Sequence, residues 1–175
     1  MRYVALLRGI NVGGKNMIKM DKLRGTFAQL DFENVATYIN SGNIAFDSRT
    51  RNEANLVSTI HDAIESDFGF NISTMVRSMD EIAEIIANSP YIGQFENDKD
   101  LHVFFLPAEM TTEQQSQLLD LANDNEFITV SGRTIYYMLR ISILDSALGK
   151  GFLDKKLKIT NSARNWRTVN KLVEL

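Results

Sequence analysis

Apolar residues recur along the chain in two periods, and the switches between them predict the elements. Tyr3 to Ile10 is an apolar run of strand length, interrupted at Arg8 and Gly9, and Asn11 to Asn16 is a glycine-rich loop. Met20, Leu23, Phe27 and Leu30 then return at helical spacing, with Asp21 near the start. Val35 to Ile39 and Ile44 to Phe46 read as two strands, and Asn40-Ser41-Gly42-Asn43 between them as a hairpin turn. Leu56, Ile60, Ala63, Ile64 and Phe68 mark a second helix ended by Gly69, and Ile72 to Arg77 a fourth strand. The order β-α-β-β-α-β is that of the ferredoxin-like split unit.

The second half begins in the same way. Ser78 to Asn88 reads as a helix with Asp80, Glu81 and Glu84 where its dipole favours acids. A polar, acidic connector runs from Pro90 to Asp100. Leu101 to Leu106 is a strand, Thr112 to Ala122 a helix, and Phe127 to Val130 with Thr134 to Arg140 a hairpin turning through Ser131-Gly132-Arg133. No fourth strand is evident. Phe152 to Lys158 reads as a short helix, and Ala163, Trp166, Val169, Leu172 and Val173 form the apolar stripe of a final one. The expected class is α+β. A ferredoxin-like βαββαβ subdomain fills 1–78, and a second, related α/β subdomain, βαββ plus C-terminal helices, fills 79–175. Both hairpins turn through Ser-Gly, which points to a degenerate repeat.

Composition narrows the chemistry. The 175 residues include no cysteine, which excludes disulfides, thiol catalysis and cysteine-zinc sites. No apolar run is long enough for a membrane span or a signal peptide, so the expected location is cytoplasmic. The net charge of −3 hides an asymmetry. Residues 1–30 carry Arg2, Arg8, Lys15, Lys19, Lys22 and Arg24 against Asp21 alone. Residues 146–175 carry seven basic side chains against Asp154 and Glu174, and the acids are concentrated between. Basic ends meeting in space would make a face that attracts anions. Ordinary pairing with the acidic middle is the plainer alternative.

Gly9-Ile10-Asn11-Val12-Gly13-Gly14-Lys15 has the spacing of a phosphate-binding loop and follows a strand. Asn16, however, stands where magnesium needs a hydroxyl, and the next helix starts late, which excludes a P-loop nucleotidase. What remains is an anion-cradling loop beside Arg8 and Lys15, or a tight turn with basic neighbours. Thr160, Asn161 and Ser162 read as N-cap residues of the last helix, which puts Arg164 in its first turn. A cation there opposes the dipole, whereas an anion would be held by both the free N–H groups and the guanidinium. His61 and His102 are each isolated, and no catalytic set or metal set is legible.

Leu6-Leu7-Arg8-Gly9-Ile10-Asn11-Val12-Gly13-Gly14-Lys15, Tyr38-Ile39-Asn40-Ser41-Gly42-Asn43 and Arg164-Asn165-Trp166-Arg167-Thr168-Val169 together resemble the bacterial family filed as domain of unknown function 1697. The resemblance implies a cytosolic chain with a ferredoxin-like first subdomain and a related second one. It carries no activity and no cofactor. Where the family has two threonines before its Arg-Asn-Trp, this chain has Ser162-Ala163, one hydroxyl fewer. Three polar signatures on separate segments imply one assembled site. Arg8, Lys15 and Arg164 would neutralise charge there, and Asn11, Asn16, Ser41, Asn43 and Asn165 would supply hydrogen bonds. The expected ligand is small and anionic, a phosphorylated compound or a nucleotide, which the protein binds or transforms. Alternatives are an interaction or self-association module without a ligand, and nucleic-acid binding, which the acidic composition and the poverty of strand aromatics disfavour.

Overall fold

The computed structural model describes residues 1–175 and divides them into two compact units. The first comprises Met1–Glu84 with Lys171–Leu175, and the second Ile85–Asn170. In the first, β1 (Arg2–Leu7), α1 (Met20–Ala28), β2 (Glu33–Tyr38), β3 (Asn43–Asp47), α2 (Glu53–Phe68) and β4 (Thr74–Ser78) follow in order. Their strands form one antiparallel sheet in the order β2-β3-β1-β4, the ferredoxin-like arrangement.

Alternation explains the core. Tyr3, Ala5 and Leu7 of β1, Ile44 and Phe46 of β3 and Val76 of β4 pack in one cluster with Leu23 and Phe27 of α1 and Leu56, Ile60 and Ile64 of α2. The intervening residues Val4 and Leu6 have no exposure either, which is why β1 reads as an unbroken apolar run. The Asn52 side chain caps α2 by accepting from the Asn55 amide at 3.1 Å.

α3 (Met79–Ala87) opens directly from β4 through a capping box. The Ser78 amide donates to Glu81 Oε2 at 2.9 Å, and the Glu81 amide donates to Ser78 Oγ at 3.2 Å. Then come β5 (Leu101–Phe105), α4 (Thr112–Leu119), β6 (Glu126–Ser131), β7 (Thr134–Leu139), α5 (Phe152–Lys155), β8 (Ser162–Asn165) and α6 (Trp166–Leu172). These strands form a second antiparallel sheet, β6-β7-β5-β8. Phe104, Ile135, Tyr137 and Leu139 pack with Leu118, Leu148, Leu153 and Leu157.

β8 corrects the sequence reading in two respects. The second unit does have a fourth strand, and the repeat of β-α-β-β-α-β is complete in both strand order and element order. The last helix also starts at Trp166, so Arg164 lies in the strand and not in a first helical turn. The physical reason is that Ser-Ala-Arg-Asn has no intrinsic strand preference, while Thr160-Asn161-Ser162 has the look of a helix start. Pairing of Phe105 with Ser162 and of His102 with Asn165 overrides both.

The repeat extends to single residues. Val4 pairs with Arg77 across β1 and β4, and Val103 with Arg164 across β5 and β8. Both arginines are buried, and each guanidinium donates to the carbonyl of the residue before it, Val76 at 2.7 Å and Ala163 at 2.8 Å. Ser78 and Asn165 follow them, and each caps the helix that begins there.

Candidate functional site

The glycine-rich stretch folds as a miniature hairpin. Val12 and Lys15 form an antiparallel bridge, and the Lys15 amide donates to the Val12 carbonyl at 3.0 Å. Gly13 and Gly14 between them have φ of 58° and 74°, the pair of positive values that a type I′ turn requires. The flanking Asn11 and Asn16 are left-handed as well, at 54° and 47°, a region in which asparagine is tolerated. This loop is therefore a projecting turn rather than a concave cradle. A side chain added at either turn glycine would meet nothing within 4 Å.

Asn11 binds the hairpin to the second signature. Its Nδ2 donates to the Asn40 carbonyl at 2.8 Å and to the Ile18 carbonyl at 2.9 Å, and its Oδ1 accepts from the Ile18 amide at 2.8 Å. Both donors and the acceptor of the amide are thus in use. The Leu7 amide also donates to the Gly42 carbonyl at 2.8 Å. Asn43, fully buried, donates to the Tyr38 carbonyl and to Ser41 Oγ and so shapes the second turn from inside. Gly42 is required twice over. Its φ is 80°, and a Cβ would lie 2.7 Å from Leu7 Cβ. Asn16 donates one N–H to the Gly9 carbonyl at 3.1 Å.

Four of the predicted residues, Asn11, Asn16, Ser41 and Asn43, thus stand on two loops joined by hydrogen bonds, with Arg8 and Lys15 on the first of them. Asn11 and Asn43 are braces. Lys15 and Lys19 are exposed, and Arg8 is half-buried with its amide donating to the Ser73 carbonyl at 2.9 Å. Sequence reasoning missed the apolar members of this tip. Val12 is 63% exposed, Met17 63% and Ile39 51%. Ile39 also has a φ of 48°, an outlier for a β-branched residue. It escaped notice because it reads as the last residue of a strand.

Arg164 and Asn165 stand in β8 of the second unit. The Arg164 guanidinium donates to Ser162 Oγ at 3.0 Å, and burial pushes its pKa down to about 10, so it stays charged at neutral pH. Asn165 Oδ1 accepts from the Thr168 amide at 3.0 Å, the bond of an N-cap. Trp166 is buried, as its place on the apolar stripe predicts.

Elsewhere, a buried polar pair ties the turns after β7 to the sheet. Glu126 accepts from the Tyr137 hydroxyl and, at 3.2 Å, from the Ala147 amide. Burial first, then the Glu126 carboxylate, pushes the Tyr137 hydroxyl up to about 12. Burial lowers the His102 pKa, whereas bonds to Asp62 and Asn71 raise that of His61. No group of three His, Asp or Glu side chains is placed to hold a metal ion, and no helix is long and apolar enough to cross a membrane. An open cleft of about 600 Å³ in the second unit, lined by Phe95, Glu96, Asp100 and Arg140 among others, includes none of the predicted residues.

A conserved bacterial protein from Streptococcus pneumoniae has a similar solved structure. It is 28% identical, with a TM-score of 0.80 over 99% of this chain and 97% of that one. No curated protein matches the chain. A family model, described as protein of unknown function DUF1697, matches residues 1–136. That span contains both loops of the tip and ends before β8. On this match the chain belongs to the family of proteins of unknown function DUF1697.

Proposed function

We propose that the protein binds a small anionic, phosphorylated ligand at the two-loop tip of the first unit, in the cytoplasm, where such compounds abound. The observation that carries this reading is the Asn11 brace. Its side chain joins the 8–18 loop to the 38–43 turn. The loop that carries Arg8 and Lys15 is thereby held to the turn that carries Ser41. A preordered site loses less entropy on binding than a floppy one. Arg8 and Lys15 supply positive charge, and the second N–H of Asn16 and the Ser41 hydroxyl lie on the same pair of loops.

The test is a thermal-shift screen of sugar phosphates, nucleotides, coenzymes and short RNA and DNA at two salt concentrations. A ligand at 100 times its Kd stabilises by about 2.7 kcal/mol, a rise of roughly 5–10 °C for a chain of this size. The rise should vanish in Arg8→Ala and Lys15→Ala. No shift with any phosphorylated compound would refute the reading and favour an interaction module instead.

A further inference from the structure

We infer that the phosphorylated ligand is a nucleotide, its base covered by Val12, Met17 and Ile39. This rests on the reading of the tip as a phosphate site. Of the eight large apolar side chains that the chain leaves exposed, these three sit on the two loops that the Asn11–Asn40 bond joins. One of them is held against its own preference. A β-branched residue at φ 48° is strained, and asparagine or glycine would sit there more easily. Backbone strain of this kind gathers at ligand clamps, and exposed apolar groups on joined loops offer contacts to an apolar ligand surface.

Inorganic phosphate has no apolar face and a sugar phosphate only a small one, so either would leave most of this apolar surface in water. A nucleobase has two flat faces that aliphatic side chains can cover, and polar edges that need hydrogen-bonding partners. Asn40, exposed and next to Ile39, carries an amide of the kind that pairs with a base edge. Lys15, Lys19 and Arg8 supply the cations for the phosphate end. The same chemistry is offered by a free mononucleotide and by a nucleotide within a single strand.

The experiment is a calorimetric titration of the full chain with AMP, GMP, CMP and UMP, with ribose 5-phosphate, and with a ten-nucleotide single strand. At least one mononucleotide should bind on the order of tenfold more tightly than ribose 5-phosphate, the effect of burying about one aliphatic side chain. Ile39→Asn, which suits the left-handed backbone, should remove that margin and leave ribose 5-phosphate binding unchanged. A strand that binds far more tightly than any mononucleotide, with a steep salt dependence, identifies nucleic acid as the source and supports the inference. Equal affinity for ribose 5-phosphate and every nucleotide overturns it while the phosphate site stands. So does indifference of nucleotide binding to Ile39→Asn. Failure of every phosphorylated probe overturns both.

Discussion

Replacing Asn11 by glycine separates the brace from the backbone shape. Glycine accepts φ of 54° without strain, so the hairpin can keep its course while the side chain is lost. Three hydrogen bonds go, to the Asn40 and Ile18 carbonyls and from the Ile18 amide. Each contributes about 0.5–1.5 kcal/mol net. The site is half-exposed, so water takes over part of the bonding, and the low end of the range applies. Glycine adds a few tenths through the greater freedom of the unfolded chain. Together these give about 2 kcal/mol, or a fall in Tm of roughly 4–8 °C. The sharper assay is amide hydrogen exchange. The Ile18 amide loses its acceptor, and its exchange should quicken by about thirtyfold, the equivalent of 2 kcal/mol of cheaper local opening. Amides of β1 paired with β3, which open only with the whole unit, should remain far better protected than Ile18. Unchanged exchange at Ile18 would refute the claim that Asn11 holds the two loops together.

Gly42→Ala should cost about 2–4 kcal/mol in urea melts, since the new Cβ meets Leu7 while φ stays at 80°; a near-neutral result would mean that the turn can shift freely. Asn165→Ala should cost about 1 kcal/mol by removing the cap of α6, and Asn165→Ser should restore most of it; equal losses in both would refute a capping role. The Asn34 amide, then the Arg2 guanidinium, hold the Asp47 carboxyl below its usual pKa. A depressed folded pKa gives stability that is present above the unfolded value of about 4 and lost as pH falls through the folded one. Asp47→Asn should therefore be less stable than the parent at pH 7 and close to it near pH 2, and an equal deficit at both would refute the linkage.

Most of the fold was legible because burial imposes period on sequence. β1, α2 and β7 are long, apolar and bounded by turn residues, so their patterns survive without tertiary knowledge. β8 does not announce itself. It is four residues long, has no β-branched or aromatic member, and is decided by pairing with β5. Arg164 followed it into error, since a helix start and a strand end can share one polar stretch. At the tip, the sequence reading assigns the chemistry of the asparagines outward. The structure turns Asn11 and Asn43 inward, because the carbonyls of neighbouring loops need donors before any ligand does. Exposed Val12 and Met17 lay beneath notice because single apolar residues in loops are common, and only their shared location is informative.

The last five residues belong to the first unit, where the Arg2 guanidinium donates to the Leu175 carbonyl. In topological terms the second unit is an insertion into the first, entered after Glu84 and left before Lys171. During vectorial synthesis the inserted unit has all its residues first, and the outer one waits until 171–175 have been made.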